Sequence, residues 1–405
     1  MILDNKKIAI SITRVKVIGI VFFLYTLGSF CVPMLGWNAA ILQVPLYLFF
    51  CVCILSVKKS LLIRRYILWY APFVLICVIS SLYAPNMNDA VSMFQSLIMA
   101  FLFGLSITVF LSYEGALPYI KYSHIFVALY VGIQLIMNFQ QKSWWSRLGE
   151  SFGMNENMVA LYFLIPFCFA VNDIHEKRFR IINILAITIF SYVIMLTGSK
   201  KALFAAAIYV VLQSILRAGR VTKKMRVLII SGALIVCVYN LLLRVELLYN
   251  IMGHRIEDMV NAFVMKDFSN SGGSTGERGN MILFGLSLFA RSPIWGWGLN
   301  SFQELYGNAT GHYAYAHNNY VELLADLGII GFVWYYSLAG KIIKYILRLK
   351  NKLQINAFYV SLVVVLLFYD FAMVAYYDTR IIMLYMISFS GLYNAYRKGT
   401  ESVPQ

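Results

Sequence analysis

Trp295-Gly296-Trp297-Gly298-Leu299-Asn300-Ser301-Phe302, then His317-Asn318-Asn319-Tyr320 and an apolar run to Gly331, closes the one long polar segment of an otherwise apolar chain. Local chemistry sets a helix start here. Asn319 and Glu322 have capping-box spacing: Asn319 can accept from the third backbone N–H, and Glu322 can reach back. Val321, Leu323, Leu324, Leu327, Ile329 and Ile330 then carry the chain into lipid. His317 therefore stands just ahead of a helix N-terminus, whose dipole and free N–H groups favour anions. Gly296 and Gly298 suit a tight turn or a close backbone approach to a ligand. The residues leave His317 open as either a turn residue or a reactive group.

Working outward, composition settles the class. Of the 405 residues, 60% are hydrophobic and 13% charged, against about 25% charged in a soluble domain. Apolar segments fall at roughly 15–36, 38–57, 66–83, 90–112, 122–139, 157–173, 180–198, 201–217, 226–245, 319–343, 356–376 and 380–396. Each is near the roughly 20 residues that cross a hydrocarbon core. The expectation is an all-α polytopic membrane protein, one integral domain over 1–405, with about twelve spans. The first span is too long, and lacks the cleavage site, for a removable signal peptide. The six cysteines lie in apolar runs and define neither a disulfide framework nor a zinc site.

The net charge of +16 invites nucleic acid, but its distribution points to lipid. Basic groups recur in alternate loops: Lys6 to Lys16, Lys58 to Arg65, Lys121, Lys177 to Arg180, Arg217 to Arg226, Lys341 to Lys352, and Arg397-Lys398. An excess of Lys and Arg in short loops marks the cytoplasmic side. Both termini are therefore expected inside, with these clusters contacting membrane lipids and no nucleic acid bound.

On the outer side, one loop over 246–318, between the ninth and tenth spans, dwarfs the others. Leu248, Ile251, Met252, Ile256, Met259, Val260, Phe263 and Val264 recur there at helical spacing, which predicts an amphipathic helix on the membrane surface or on the bundle. Ser269–Gly276 reads as a hinge-like break. Asn280–Ala290 is apolar but too short to span, so it reads as interfacial or re-entrant. Lys200 and Lys201 sit between two apolar runs, where a cation costs roughly 2.5–3.5 kcal/mol at a helix centre and less near an end. They either snorkel to the interface or face a water-filled cavity or an anionic partner. Arg278 precedes the short apolar stretch, Arg291 closes it, and Arg147 follows the interfacial pair Trp144-Trp145. Singly these are interface anchors; with His317 they suit a phosphate-bearing lipid headgroup.

These motifs resemble the bacterial O-antigen polymerase and O-antigen ligase superfamily. The family pattern has an Arg before an apolar helix, a Pro-x-x-Gly-x-Gly turn, an His-Asn-x-aromatic stretch, and an acidic-hydrophobic-Gly ending. Here it reads Arg278, Pro293 to Gly298, His317 to Tyr320, and Asp326-Leu327-Gly328. Gly149 to Ala160 is similar to the family's Gly-rich external segment, with Asn157 in the Asn place. Thr197 to Ala202 is similar to its T-x-S-R-G segment, but Lys200 stands where Arg is usual and Lys201 where Gly is. Lysine keeps the charge and loses the bidentate fork.

The resemblance implies glycan transfer from undecaprenyl-pyrophosphate-linked oligosaccharides on the outer face of the bacterial plasma membrane. A pyrophosphate leaving group needs positive charge, which Arg278, Lys200, Lys201, Arg291 and Arg147 can supply, with Asn318, Gly296 and Gly298 lining the site. No Asp-x-Asp metal motif occurs in the external loops, so the expected chemistry is inverting and uses no metal and no cofactor. The acceptor hydroxyl needs a base, and a neutral histidine with an ordinary pKa of about 6.5 suits; His317 is the candidate. Glu322 and Asp326 could orient it, or cap and pair within the bundle. Nothing in the motifs separates a repeat-unit polymerase from a ligase acting on lipopolysaccharide core; the polymerase, making capsule, exopolysaccharide or O-antigen, is the expectation. A chain-length regulator and a flippase are implied as partners. A flippase for the same lipid-linked sugars would also have twelve spans. Transporters usually carry paired repeats and midplane polar residues, whereas here polarity gathers in one asymmetric outer loop. Asp370, at the outer end of the eleventh span, is the acidic exception, open to pairing with Arg380 or lining a cavity.

Overall fold

The computed structural model describes residues 2–139, 147–265, 274–349 and 352–401, so Trp144-Trp145 and 269–273 of the hinge-like break lie outside the described residues. Among the described residues, regular structure is helical throughout, with fifteen α-helices of ten residues or more. A helix stands over each of the twelve apolar segments: α1 (Ile2–Leu35), α2 (Ala40–Leu55), α3 (Leu61–Ser81), α4 (Met87–Leu111), α5 (Ala116–Asn138), α6 (Glu156–His175), α7 (Arg180–Leu196), α8 (Lys200–Arg217), α9 (Val221–Arg244), α13 (Asn319–Arg348), α14 (Ala357–Asp370) and α15 (Thr379–Glu401). Between α9 and α13 lie α10 (His254–Met265), α11 (Ser274–Arg291) and α12 (Ser301–Thr310). Among the described residues, seven helices are long and apolar enough to cross a membrane by length and composition, and α2, α7 and α14 are shorter apolar helices. The chain is thus an all-helical, multi-pass membrane protein.

It folds as two compact units, 1–57 with 113–260, and 58–112 with 261–405. In the first, α1 packs on α2 and α5, α6 on α5, α7 and α8, and α9 on α8. Asn155 starts α6 by accepting from the Asn157 N–H at 2.9 Å, and the helix is then buried almost without interruption from Val159 to Asp173. α9 is the opposite: Leu242 is its buried residue, while Leu228, Ile229, Ile230, Leu234, Ile235 and Val236 are exposed. Such a surface suits lipid rather than water. Lys121, expected among the basic groups at the membrane surface, is instead buried against Asp173 of α6. A cation inside a bundle has to be paired. The predicted amphipathic segment begins as a π-turn over Tyr249–Gly253 and continues as α10. Leu248, Met252 and Ile256 pack with Leu242 of α9, so this part lies on the bundle.

In the second unit, α13 packs on α3, α11, α12, α14 and α15, and α4 on α3 and α15. Aromatic side chains with polar tips tie α3 to α13: Trp69 Nε1 donates to the Tyr335 carbonyl and Trp334 Nε1 to the Trp69 carbonyl, both at 2.8 Å. α11 is longer than the predicted Asn280–Ala290 stretch. Its Met281 and Leu288 are buried with Phe302, Tyr306, Val321 and Ala325. α12 stands where a polar loop was expected, seated by Phe302 and Tyr306, whose spacing of four places both on one face.

Candidate active site

The tenth apolar segment is a broken helix. Gly328 inside α13 has φ 61° and ψ −164°, a region essentially reserved for glycine. The break frees backbone groups that in lipid must find partners, and the Pro293–Gly298 turn supplies them. Trp297 N–H donates to the Ala325 carbonyl at 3.0 Å and Gly298 N–H to that of Asp326 at 2.8 Å, while Ile329 N–H donates to the Pro293 carbonyl at 2.9 Å. A Cβ at Gly296 would stand 2.3 Å from the Asp326 carbonyl oxygen, and one at Gly298 2.6 Å from Ala84 Cα. At these two glycines the chain's own backbone makes a close approach.

The expected capping box does not form, and the cap itself is shifted by one residue. Asn318 is the cap, its Oδ1 accepting from Val321 N–H at 3.1 Å, because His317 takes a left-handed backbone (φ 52°) and turns the chain one residue earlier. Asn319, freed from capping, accepts from the Ala375 and Tyr376 N–H groups and donates to the Tyr336 hydroxyl. Glu322, buried, accepts from the Ala316 N–H at 2.7 Å, which fixes the loop immediately before His317. Asp326, also buried, accepts from the Phe302 N–H at 2.8 Å and so anchors α12.

His317 is half-buried, its ring 4.0 Å from that of Tyr315 between centroids. Burial pushes the Tyr315 hydroxyl up from its ordinary range, and Glu322 adds to this while Arg278 opposes it. Arg278 is itself half-buried. Partial desolvation pulls its guanidinium down, and Tyr315 and Glu277 counter this. The second unit thus brings His317, Tyr315, Arg278 and Glu322 into one neighbourhood: an imidazole, a guanidinium and a buried carboxylate that orders the loop. Tyr315 carried no motif signal, since its role depends only on where the loop folds back. Arg291 does not join them. It is exposed, at the opposite end of α11, about 20 Å from Arg278 along the axis at 1.5 Å per residue.

The first unit gathers a separate group. Gly198 and Ser199 lead into α8, whose first two residues are Lys200 and Lys201, the latter buried. Ser199 Oγ donates to Asn157 Oδ1 at 2.8 Å, so the two weaker motif segments do meet. Arg147 Nη2 pairs with Glu156 Oε1 at 2.7 Å and its Nε faces Glu150 Oε1 at 3.4 Å. Arg255 reaches the Gly198 carbonyl at 3.4 Å. Arg255 belongs to none of the sequence motifs; its neighbours came from a fold, not a spacing. Asp370 does not pair with Arg380. Its Oδ2 accepts from the Tyr336 and Tyr385 hydroxyls, while Arg380 pairs with Asp378.

Fold and site together define a helical, multi-pass membrane protein whose loops hold basic groups and one constrained histidine. Residues 184–336 match the family model for O-antigen ligase. The resemblance to the O-antigen polymerase and ligase superfamily therefore holds over that segment, which contains Lys200, Lys201, Arg255, Arg278, Arg291 and His317 and excludes Arg147. The match covers less than half of the chain, so it stands as a likeness to that family. No curated protein matches the chain.

Proposed function

We propose that this protein polymerises undecaprenyl-pyrophosphate-linked oligosaccharide repeats on the outer face of a bacterial plasma membrane, with both termini cytoplasmic and twelve spans. The reaction is one displacement. The acceptor hydroxyl oxygen attacks the anomeric carbon, its proton passes to the His317 imidazole, and the bond to pyrophosphate breaks with inversion. Arg278 stabilises the charge that develops on the departing pyrophosphate. Lys200 and Lys201, beside Arg255, hold a pyrophosphate headgroup in the first unit; Arg147 is already matched by two carboxylates and serves mainly to shape that segment.

His317 carries the reading: a non-glycine residue in left-handed backbone, its ring tilted against that of Tyr315 and following a loop pinned by Glu322, is held rather than merely tolerated. His317→Asn tests it, since asparagine accepts this backbone well. Polymer should fall by about 10²–10⁴-fold at unchanged protein level, with lipid-linked single repeats accumulating. Arg278→Ala should give the same intermediate, and the double variant should lose less than the product of the two effects. Full-length polymer from an abundant His317→Asn protein would leave His317 a turn residue. The family model's own description favours a second reading, ligation to lipopolysaccharide core; accumulation of lipid-linked polymer instead of single repeats would mark it.

A further inference from the structure

A cavity of about 350 Å³ opens in the first unit between the end of α1, the end of α5 and the segment after Arg147, lined by Met34, Leu35, Gln134, Asn138, Phe139 and Phe152 among others. Its volume lies within the range of about 300–1,000 Å³ typical of small-molecule sites. Three features define what fits. Among the described residues no ionisable side chain lines it, which favours an uncharged ligand. Gln134 and Asn138 stand one turn apart on one face of α5. Asn138 Nδ2 donates to the Gln134 carbonyl at 2.8 Å, and both residues line the cavity, bringing amide donors and acceptors to its wall. Phe139 and Phe152 add aromatic surface to the lining. Paired donors and acceptors between apolar faces suit a polyhydroxylated ring with an apolar side.

The same segment carries the basic group on its other side. Leu148 lines the cavity and donates its N–H to the Leu196 carbonyl, while its neighbour Arg147 packs against Gly198, 2.8 Å from where a Cβ would sit, just before Lys200. A neutral pocket thus shares a wall with a cationic one. We propose that this cavity is a glycan subsite, holding an uncharged sugar of the lipid-linked oligosaccharide. The proposal rests on the function above for the identity of the glycan.

The test uses the full chain in nanodiscs with the exposed Cys51 and Cys237 changed to serine, and Leu35→Cys as a reporter on the cavity wall. The probes are the free oligosaccharide released by mild acid from the host's lipid-linked repeat, inorganic pyrophosphate, and undecaprenyl phosphate. The oligosaccharide should slow maleimide labelling of residue 35 severalfold, and the other two should not. Gln134→Leu with Asn138→Leu, which keeps side-chain bulk and removes both amides, should abolish that protection. The same oligosaccharide should raise the thermal midpoint of the unmodified chain, a readout independent of the reporter. Protection by undecaprenyl phosphate in place of the sugar makes the cavity a lipid-chain site and overturns the proposal. So does protection by none of the probes, or protection that survives loss of both amides. Labelling reads binding without transfer, so a fully active His317→Asn would sink the base assignment and leave this result standing.

Discussion

Replacing Gly328 by alanine should undo the break on which the candidate site is built. At φ 61° and ψ −164° a non-glycine residue costs about 1–3 kcal/mol. The new Cβ would also stand 2.3 Å from the Ile294 carbonyl oxygen and 2.7 Å from the Gly296 nitrogen. Both are backbone atoms, so the Pro293–Gly298 turn itself has to retreat. That withdraws partners from hydrogen bonds across the break, of which Ile329 to Pro293 and Trp297 to Ala325 are the most exposed to the shift. Two such bonds are worth about 1–3 kcal/mol net. The total is about 2–6 kcal/mol, a large part of the roughly 5–15 kcal/mol that holds a domain. Gly340→Ala is the control: the same helix, with nothing within 4 Å of its Cβ, and a neutral effect or a gain of up to about 1 kcal/mol. Detergent-purified variants would be compared by thermal midpoint from tryptophan fluorescence, and by polymer made in cells. Gly328→Ala should melt several degrees lower and make little polymer. Equal midpoints and equal polymer for the two variants would refute the argument that the turn latches the broken helix.

Lys200→Arg should keep more polymer synthesis than Lys200→Ala if charge at that point holds pyrophosphate; near-normal output from both would leave a snorkelling lysine. A reporter fused after Lys398 should be active only in its cytoplasmic form, and one inserted at Gly273 only in its external form; the reverse pattern would invert the proposed topology. Burial tends to raise the Asp378 carboxyl, but Arg380 and the hydrogen bonds around it outweigh this and hold it below its ordinary 3.8. Its contribution to stability is therefore complete above 3.8 and lost as pH falls from there through the lower folded-state value. The thermal midpoint of Asp378→Asn should lie below that of the parent at neutral pH, and the gap should close on acidification below 3.8; a gap independent of pH would show that the ion pair contributes nothing.

The apolar segments were legible one by one because transfer into lipid is decided by each stretch of chain on its own. Helices stand over all twelve, and the resemblance carried by Arg278, Pro293 to Gly298 and His317 to Tyr320 holds over residues 184–336. Composition also fixed the class, since so few charges leave no surface for water. What sequence could not decide was partnership. Asn318 and Asn319 are adjacent and chemically identical, and either can cap. The left-handed turn at His317 chooses Asn318 and sends Asn319 to the backbone of Ala375 and Tyr376. Gly328 stood out only as the last residue of the acidic-hydrophobic-Gly motif and not as a break, because a break there is stable only once the Trp297 and Gly298 amides arrive from another part of the chain. Likewise Glu322 and Asp326 were equally placed on one helix face, and only the fold brought Ala316 to one and Phe302 to the other. Lipid affinity is a sum over neighbouring residues and survives in the one-dimensional string; a hydrogen bond between distant segments exists only after both have been placed.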